Sequence, residues 1–397
     1  MPGVTLATLG SLGDLLPMLA VARALRARKV QVVIAASPRF RETVLDAGVR
    51  FAALGNDVDP MRGASLDGDA SVAFIENANF SQLDRVFEDL LATASGTSAL
   101  VSPYHVVPAH LVAERLGIPY IATAFSPAHL VPANADDRDI GWRIRAPAHW
   151  HTALSDLRRR CGMSRVLLPY SAVFNSATAL LGLFPQFLRR TAHEFPKLQV
   201  LGFPHPSGSS RLTRDLDMED FCDERTVVVS FGSYVDRIDP RRFFEESAAA
   251  CRSLGWKCLY LSTEVAREHS GRIAPAMMVR PFVDHDLAFA RAGAVVHHGG
   301  IGTLMAACRH RKPMVVVPFF YDQPYHAARM NELIGSSVIS PASYDRSALE
   351  RALRALQASR DATVSALNQL MAAEVDGADP AATRVGTISG EYRVHDA

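Results

Sequence analysis

Apolar residues recur along this chain in two alternating rhythms. Short unbroken apolar runs suit strands buried on both faces, and longer stretches with apolar positions every three or four residues suit helices. Val4–Leu9 predicts the first buried strand, Gly10–Gly13 a turn, and the following stretch a helix to about Arg28. Pro17 falls in the first turn of that helix, where proline is tolerated. Gln31–Ala35, Arg39–Ala47 and Arg50–Leu54 then predict strand, helix and strand. Such βαβ alternation implies a parallel sheet. Asn56–Gly96 is less regular, with one helix around Ser81–Thr93 whose apolar face carries Leu83, Val86, Phe87, Leu90 and Leu91. Leu100–Ser102 and Tyr120–Ala124 read as strands with a helical His110–Leu116 between them. A long insertion after Pro127 precedes a helix around Ala153–Cys161, and Ala179–Phe184 and Leu198–Gly202 complete this half.

The rhythm then breaks. Pro204–Arg214 (PHPSGSSRLTR) is rich in Pro, Ser and Gly and reads as a linker. After it the alternation restarts: strand Thr226–Phe231, turn Gly232-Ser233, helix Pro240–Leu254, strand Lys257–Leu261, strand Met278–Arg280 and a short helix Leu287–Arg291. Asp345–Tyr392 predicts successive helices. At 397 residues the chain exceeds one ordinary core and suits two α/β domains.

Composition narrows the setting. With 48% apolar residues two cores can be filled, and a formal charge of +1 gives no global field for nucleic acid or membrane. Five cysteines, an odd number without a C-x-x-C pair, build neither a zinc site nor a disulfide scaffold, which suits a reducing cytoplasm. Gly10-Ser11-Leu12-Gly13-Asp14 interrupts the first apolar run, so no signal peptide is expected, and no apolar run is long enough to predict a membrane span.

The candidate chemistry gathers in Ala294–Tyr325 (AVVHHGGIGTLMAACRHRKPMVVVPFFYDQPY). Ala294, Val295 and Val296 predict a buried strand, His298-Gly299-Gly300-Ile301-Gly302-Thr303 a glycine-rich turn into a helix, and Pro313 the end of that helix before the strand Met314–Val317. Glycines admit a ligand close to the backbone, and the unpaired N–H groups of a first helical turn attract an anion. Such a turn also serves packing alone in many doubly wound proteins. Asp322-Gln323, at the end of the next strand, tilts the reading, because ligands of an open parallel sheet lie beyond the carboxyl ends of its strands. A carboxylate and an amide beside a phosphate cradle suit a nucleotide sugar. The Gly10 turn lacks the middle glycine of the dinucleotide fingerprint, which argues against a nicotinamide enzyme.

His298 to Thr303 followed by Asp322-Gln323 resembles the donor signature of GT-B nucleotide-sugar-dependent glycosyltransferases. The resemblance is to the plant and macrolide branch, nearest the bacterial sterol glucosyltransferases and rhamnolipid-type rhamnosyltransferases. It implies two Rossmann-like doubly wound domains facing each other across a cleft: an acceptor domain 1–204, a linker 205–222, a nucleotide-sugar domain 223–378, and a last helix, 379–397, crossing back to the first domain. It further implies that His298, Gly299, Gly300, Gly302, Thr303 and Ser233 hold the diphosphate, Asp322 and Gln323 the sugar, and Phe282 and Val283 the nucleobase. Asp14, in GSLGDLLP, falls where the family places its catalytic base; the alternative is that it caps the first helix. Phe74, Phe80, Phe125 and Trp142 are candidates for an acceptor pocket, although aromatic residues there also suit the core. D-x-D triplets at Asp57/Asp59, Asp67/Asp69, Asp215/Asp217 and Asp284/Asp286 could hold a divalent ion, but none follows a convincing strand, so no metal or other cofactor is expected. Met305, Ala306 and Ala307 stand where relatives carry a ribose-binding glutamate, and His326 where they often carry Asn. The implied activity is inverting transfer from a UDP- or dTDP-sugar to a hydroxyl of a lipophilic small molecule. The alternatives are a nucleotide-sugar epimerase on the same plan and an inactive nucleotide-sugar-binding homologue. The expected partners are therefore a nucleotide-sugar donor and an apolar acceptor.

Overall fold

A computed structural model describes residues 3–62, 70–130, 139–141, 144–163, 176–190, 195, 197–206, 215–235 and 238–391. They form two compact units, one from residues up to 206 together with those from 375 on, the other from 215–374. Pro204, His205 and Pro206 of the predicted linker are described; the remainder of Pro204–Arg214 lies outside the described residues.

The first unit is built on a seven-stranded parallel sheet. Its strands are β1 (Val4–Thr8), β2 (Val32–Ala36), β3 (Arg50–Ala53), β4 (Ala99–Pro103), β5 (Tyr120–Ala124), β6 (Ala179–Gly182) and β7 (Leu198–Val200), in the order β3-β2-β1-β4-β5-β6-β7. β1, β4 and β5 are buried at every position, as strands covered on both faces must be. Helix α1 (Leu12–Ala27) follows β1 and buries Leu15, Met18, Leu19, Ala22 and Leu25. Helix α2 (Leu83–Ala94) buries Leu83, Val86, Phe87, Leu90 and Ala94, the spacing of one helical face. The stretch from Asn56 is more regular than its sequence suggests, because Ala70–Ala78 is helical as well.

The second unit has its own seven strands: β8 (Thr226–Ser230), β9 (Lys257–Leu261), β10 (Gly271–Ala274), β11 (Met277–Arg280), β12 (Ala294–His297), β13 (Met314–Val316) and β14 (Ser337–Val338). Their order is β10-β11-β9-β8-β12-β13-β14, all parallel except the edge strand β10. One face is filled by an aromatic cluster of Phe231, Phe243, Tyr260 and Tyr344, with the Tyr344 hydroxyl 2.7 Å from Ser247 Oγ. Helices α3 (His285–Arg291), α4 (Ile301–Arg309) and α5 (Gln323–Ile334) follow β11, β12 and β13.

After residue 374 the chain re-enters the first unit. Helix α6 (Ala378–Ser389) packs on α1, burying Ala381, Ala382, Val385 and Gly386, and Arg28 meets Asp379 at 2.5 Å. The outgoing and returning strands of chain touch at Gly202 and Gly377. The Gly377 N–H donates to the Phe203 carbonyl at 3.1 Å, and a Cβ on Gly377 would lie 2.2 Å from the Gly202 carbonyl oxygen. Among the described residues no helix is long and apolar enough to cross a membrane.

Candidate active site

Each sheet reverses its winding at one place, between β1 and β4 in the first unit and between β8 and β12 in the second. At such a switch point the loops beyond the strand ends diverge and leave room for a ligand. Asp14 and the glycine turn at His298 stand at these two places.

In the second unit β12 ends at His297, and Gly300 is the N-cap of α4. The turn is glycine-built for a geometric reason. Gly299 has φ +90°, and the His298 ring lies in a slot walled by Gly232 and Gly300. A Cβ on Gly300 would come 2.3 Å from His298 Nε2, and one on Gly232 3.0 Å from it. His298 Nδ1 faces the Ser230 carbonyl at 3.5 Å, leaving Nε2 at the N-terminal end of α4. Burial pushes the His298 imidazole down to about 4, so it is neutral near pH 7. Ser233, one residue past Gly232, is exposed at the end of β8.

His297 has a structural role: its Nδ1 accepts the Gly299 N–H at 3.1 Å, and burial holds its ring neutral. The Gly299 amide is therefore occupied, and the donors the turn could offer an anion are those of Gly300, Ile301, Gly302 and Thr303 at the start of α4. Nothing lies within 4 Å of where a Gly302 Cβ would stand. His298, being neutral, offers a charged hydrogen bond only if an arriving anion raises its basicity.

Asp322 is the N-cap residue of α5, yet its side chain makes no cap hydrogen bond, so the carboxylate is not used as a cap. It is 8% exposed. Gln323 Oε1 accepts the N–H groups of Phe319 (2.9 Å) and Phe320 (3.3 Å), so only its amide nitrogen is left to donate outward. The pair thus presents acceptors from Asp322 and donors from Gln323. β12 and β13 are adjacent in the sheet, which brings this pair beside the glycine turn. The residue four places on, His326, is fully buried; its Nδ1 lies 2.7 Å from the Gly299 carbonyl and its Nε2 3.8 Å from Asp322 Oδ2.

Phe282 lies just past the end of β11 and is 49% exposed, which removes it from the core and leaves a ring face open; Val283 beside it is buried. Met305, Ala306 and Ala307 are buried in α4.

In the first unit the turn after β1 carries Asp14, but the cap of α1 is Ser11, not Asp14. Ser11 Oγ accepts the Gly13 N–H at 3.0 Å, and Asp14, at the third helical position, closes a capping box. Asp14 Oδ2 takes both the Ser11 N–H (2.7 Å) and the Ser11 hydroxyl (2.8 Å). Its other oxygen, Oδ1, lies 3.6 Å from Nε2 of His105, which stands just past β4. His105 is fully buried, and its Nε2 donates to the Leu9 carbonyl at 2.9 Å. No sequence motif marks His105; the adjacency of β1 and β4 brings it to Asp14.

Phe74 is buried edge-on to His105, centroids 6.2 Å apart, and borders Gly10. Phe125 is buried in the core, and Phe80 stacks on the buried Trp150 at 4.4 Å. Of the acceptor candidates, Phe74 alone among these three stands beside Asp14; Trp142 lies outside the described residues. The described D-x-D carboxylates already have partners. Asp57 binds Arg39, Asp215 and Asp217 bind Arg280, Asp284 caps α3, and Asp286 meets Arg309 and His310. Chiefly the His310 hydrogen bond, with Arg309 beside it, holds the Asp286 carboxyl down to about 2. Asp67/Asp69 lie outside the described residues.

Two doubly wound sheets, one with a glycine-walled imidazole at a helix N-terminus, fit the plan of a GT-B glycosyltransferase. The chain is one: residues 4–130 match the glycosyltransferase family 28 N-terminal domain, and residues 262–389 the erythromycin biosynthesis protein CIII-like C-terminal domain. It is 29% identical over 360 residues to the glycosyltransferase GtfE of Amycolatopsis orientalis, covering 83% of this chain and 84% of that protein. It is 26% identical over 373 residues to a sterol 3-beta-glucosyltransferase of Debaryomyces hansenii, covering 83% of this chain but only 23% of that longer enzyme. The fold is similar to the solved glycotransferase of kitacinnamycin (TM-score 0.77, 20% identity, 98% of this chain and 99% of that one). It is also similar to the spinosyn rhamnosyltransferase SpnG complexed with thymidine diphosphate (TM-score 0.71, 18% identity, 98% and 100%).

Proposed function

We propose that this enzyme transfers a sugar, with inversion at the anomeric carbon, from a UDP- or dTDP-sugar to a hydroxyl of a lipophilic natural-product acceptor. The thymidine diphosphate bound by SpnG favours a dTDP-sugar. The observation that carries the reading is the state of Asp14: the capping box engages Oδ2 and leaves Oδ1 as the carboxylate's basic atom at the first switch point. Oδ1 takes the acceptor's hydroxyl proton as the oxygen attacks the anomeric carbon, and the bond from that carbon to the diphosphate oxygen breaks. The departing diphosphate gathers charge, which the amides at the start of α4 and the His298 ring stabilise. Asp322 and Gln323 hold the sugar hydroxyls, and the open face of Phe282 stacks on the base. Phe74, buried beside the Asp14 turn, supports an apolar acceptor. The mechanism invokes no metal: of the described D-x-D carboxylates, Asp57, Asp215, Asp217 and Asp286 pair with cations, Asp284 caps a helix and Asp59 accepts the Met61 N–H.

The test is turnover against a panel of dTDP- and UDP-sugars with hydroxylated aglycones, in excess EDTA. Asp14→Asn keeps the capping geometry and should lower kcat by roughly 10²–10⁴-fold, the usual worth of a general base, with donor KM little changed. Full activity in Asp14→Asn removes the proposed base, and complete loss in EDTA removes the metal-free mechanism.

A further inference from the structure

The glycine turn lies beyond the carboxyl ends of the second unit's strands. A separate half-open cavity of about 380 Å³ lies at their opposite, amino ends. Its volume falls within the roughly 300–1,000 Å³ usual for small-molecule sites. The residues that lead into β8, β9, β12 and β13 line it, together with two later helices, Arg346–Ala358 and Arg360–Ala372. Part of the lining is bare backbone at Gly293, where no side chain fits: a Cβ there would lie 2.0 Å from the Glu224 carbonyl oxygen. The same Cβ would be 3.5 Å from Cζ3 of Trp256. This indole is half-buried, packs against the core of the unit and lines the cavity with the buried Leu356.

The charges at this cavity are not spent on one another. Glu224, Arg225 and Arg360 all line it, yet among the described residues no ion pair joins them. Arg360 is held by backbone instead: its Nη1 donates to the Gly293 carbonyl at 2.9 Å, which fixes the guanidinium and leaves Nε and Nη2 to donate elsewhere. Lys312, just before β13, feels the same field. Burial first, and then the Arg360 charge, pull its ammonium below the ordinary range, while Glu224 acts the other way. Three cations thus outweigh one carboxylate, which favours an anion. An indole beside guanidinium forks suits a flat ring that carries a carboxylate: the ring packs on the indole and the fork grips two oxygens.

We propose that this cavity is a second small-molecule site, one that takes an aromatic carboxylate between Trp256 and the guanidinium groups of Arg225 and Arg360. It stands apart from the donor site. β8 and β12 run from it to Ser230 and His297, roughly 13 Å away by strand rise. Both sites can therefore be filled at once.

The test reads Trp256 directly. The chain has three tryptophans, and Trp256→Phe assigns the ¹⁹F resonance of this one in the fluorotryptophan-labelled full chain. Naphthoate, which has no hydroxyl to serve as a sugar acceptor, should shift that resonance saturably, and saturating UDP or dTDP should not displace it. Its neutral counterpart naphthamide should bind at least about tenfold more weakly. Arg225→Gln alters an exposed side chain and should weaken naphthoate about tenfold, the size of one charged contact, with the melting temperature unchanged. Glu224→Gln removes the opposing charge and should tighten it. The proposal is overturned by the absence of a saturable shift at millimolar naphthoate, by equal binding of naphthamide, or by an unchanged affinity in either variant. Displacement by UDP overturns it too, because the probe then sits in the donor site.

Discussion

A single ring, His298, shows how burial sets up a ligand-dependent proton. The free imidazole is neutral near pH 7 because burial depresses it to about 4, and its Nδ1 hydrogen faces Ser230. To donate from Nε2 to a phosphate oxygen, it must first gain a proton. Binding a diphosphate is therefore expected to raise its pKa and to take up protons. The sign follows: affinity for a nucleotide sugar tightens as pH falls through the bound-state pKa and levels off near the free value. A nucleotide sugar is the right probe because its diphosphate is esterified at both ends. Calorimetry in buffers of different ionisation heat should detect the uptake, and His298→Gln should abolish it; a pH-independent wild type would contradict the assignment. The histidine was legible in the sequence from its place before a glycine turn. Its neutrality was not, since that depends on Gly232, a residue far off in the chain that walls the slot.

Two helix starts carry the chemistry, and each can be perturbed separately. At the start of α4, Gly302→Ala meets open space, so the fold should gain up to about 1 kcal/mol from better helix propensity. The same methyl group would crowd an anion at the amides. A higher melting temperature together with weaker donor binding is expected; unchanged donor affinity would mean that the diphosphate does not lie there. At the start of α1, Ser11→Ala removes the capping hydroxyl and should cost roughly 0.5–2 kcal/mol. It also removes one of the two bonds that hold Asp14 Oδ2, leaving only the backbone N–H, so kcat should fall further than stability alone predicts, as steady-state rates beside a thermal melt will show. Both starts were readable as strand, glycine turn and helix. Which residue caps α1 was not, because Ser11 and Asp14 are both favoured there and only the closed hydrogen-bond pair decides. His105 was likewise unreadable, since strand order, not local pattern, seats it beside Asp14. The edge strand β10 was missed for another reason: Gly271–Ala274 is largely exposed and has neither an apolar run nor a clear alternation.

For the whole molecule, the sequence showed two α/β halves because the βα rhythm breaks once and restarts. The strand orders, which create both switch points, were not written in any local segment. The boundary of the first unit depends on the return of the chain through Gly202 and Gly377, where two backbones approach too closely for a side chain. Gly377→Ala should therefore loosen α6 from α1, seen as faster amide exchange in α1 and β1 with the strands of the second unit unaffected. Equal loosening in both units would show that α6 is not held by this crossing. The same return path has a consequence during synthesis. Residues 215–374 can leave the ribosome and close their sheet while the first unit still lacks the helix that covers α1. The half translated first is thus the half completed last, and until α6 emerges the surface of α1 on which it packs is a natural landing place for a chaperone.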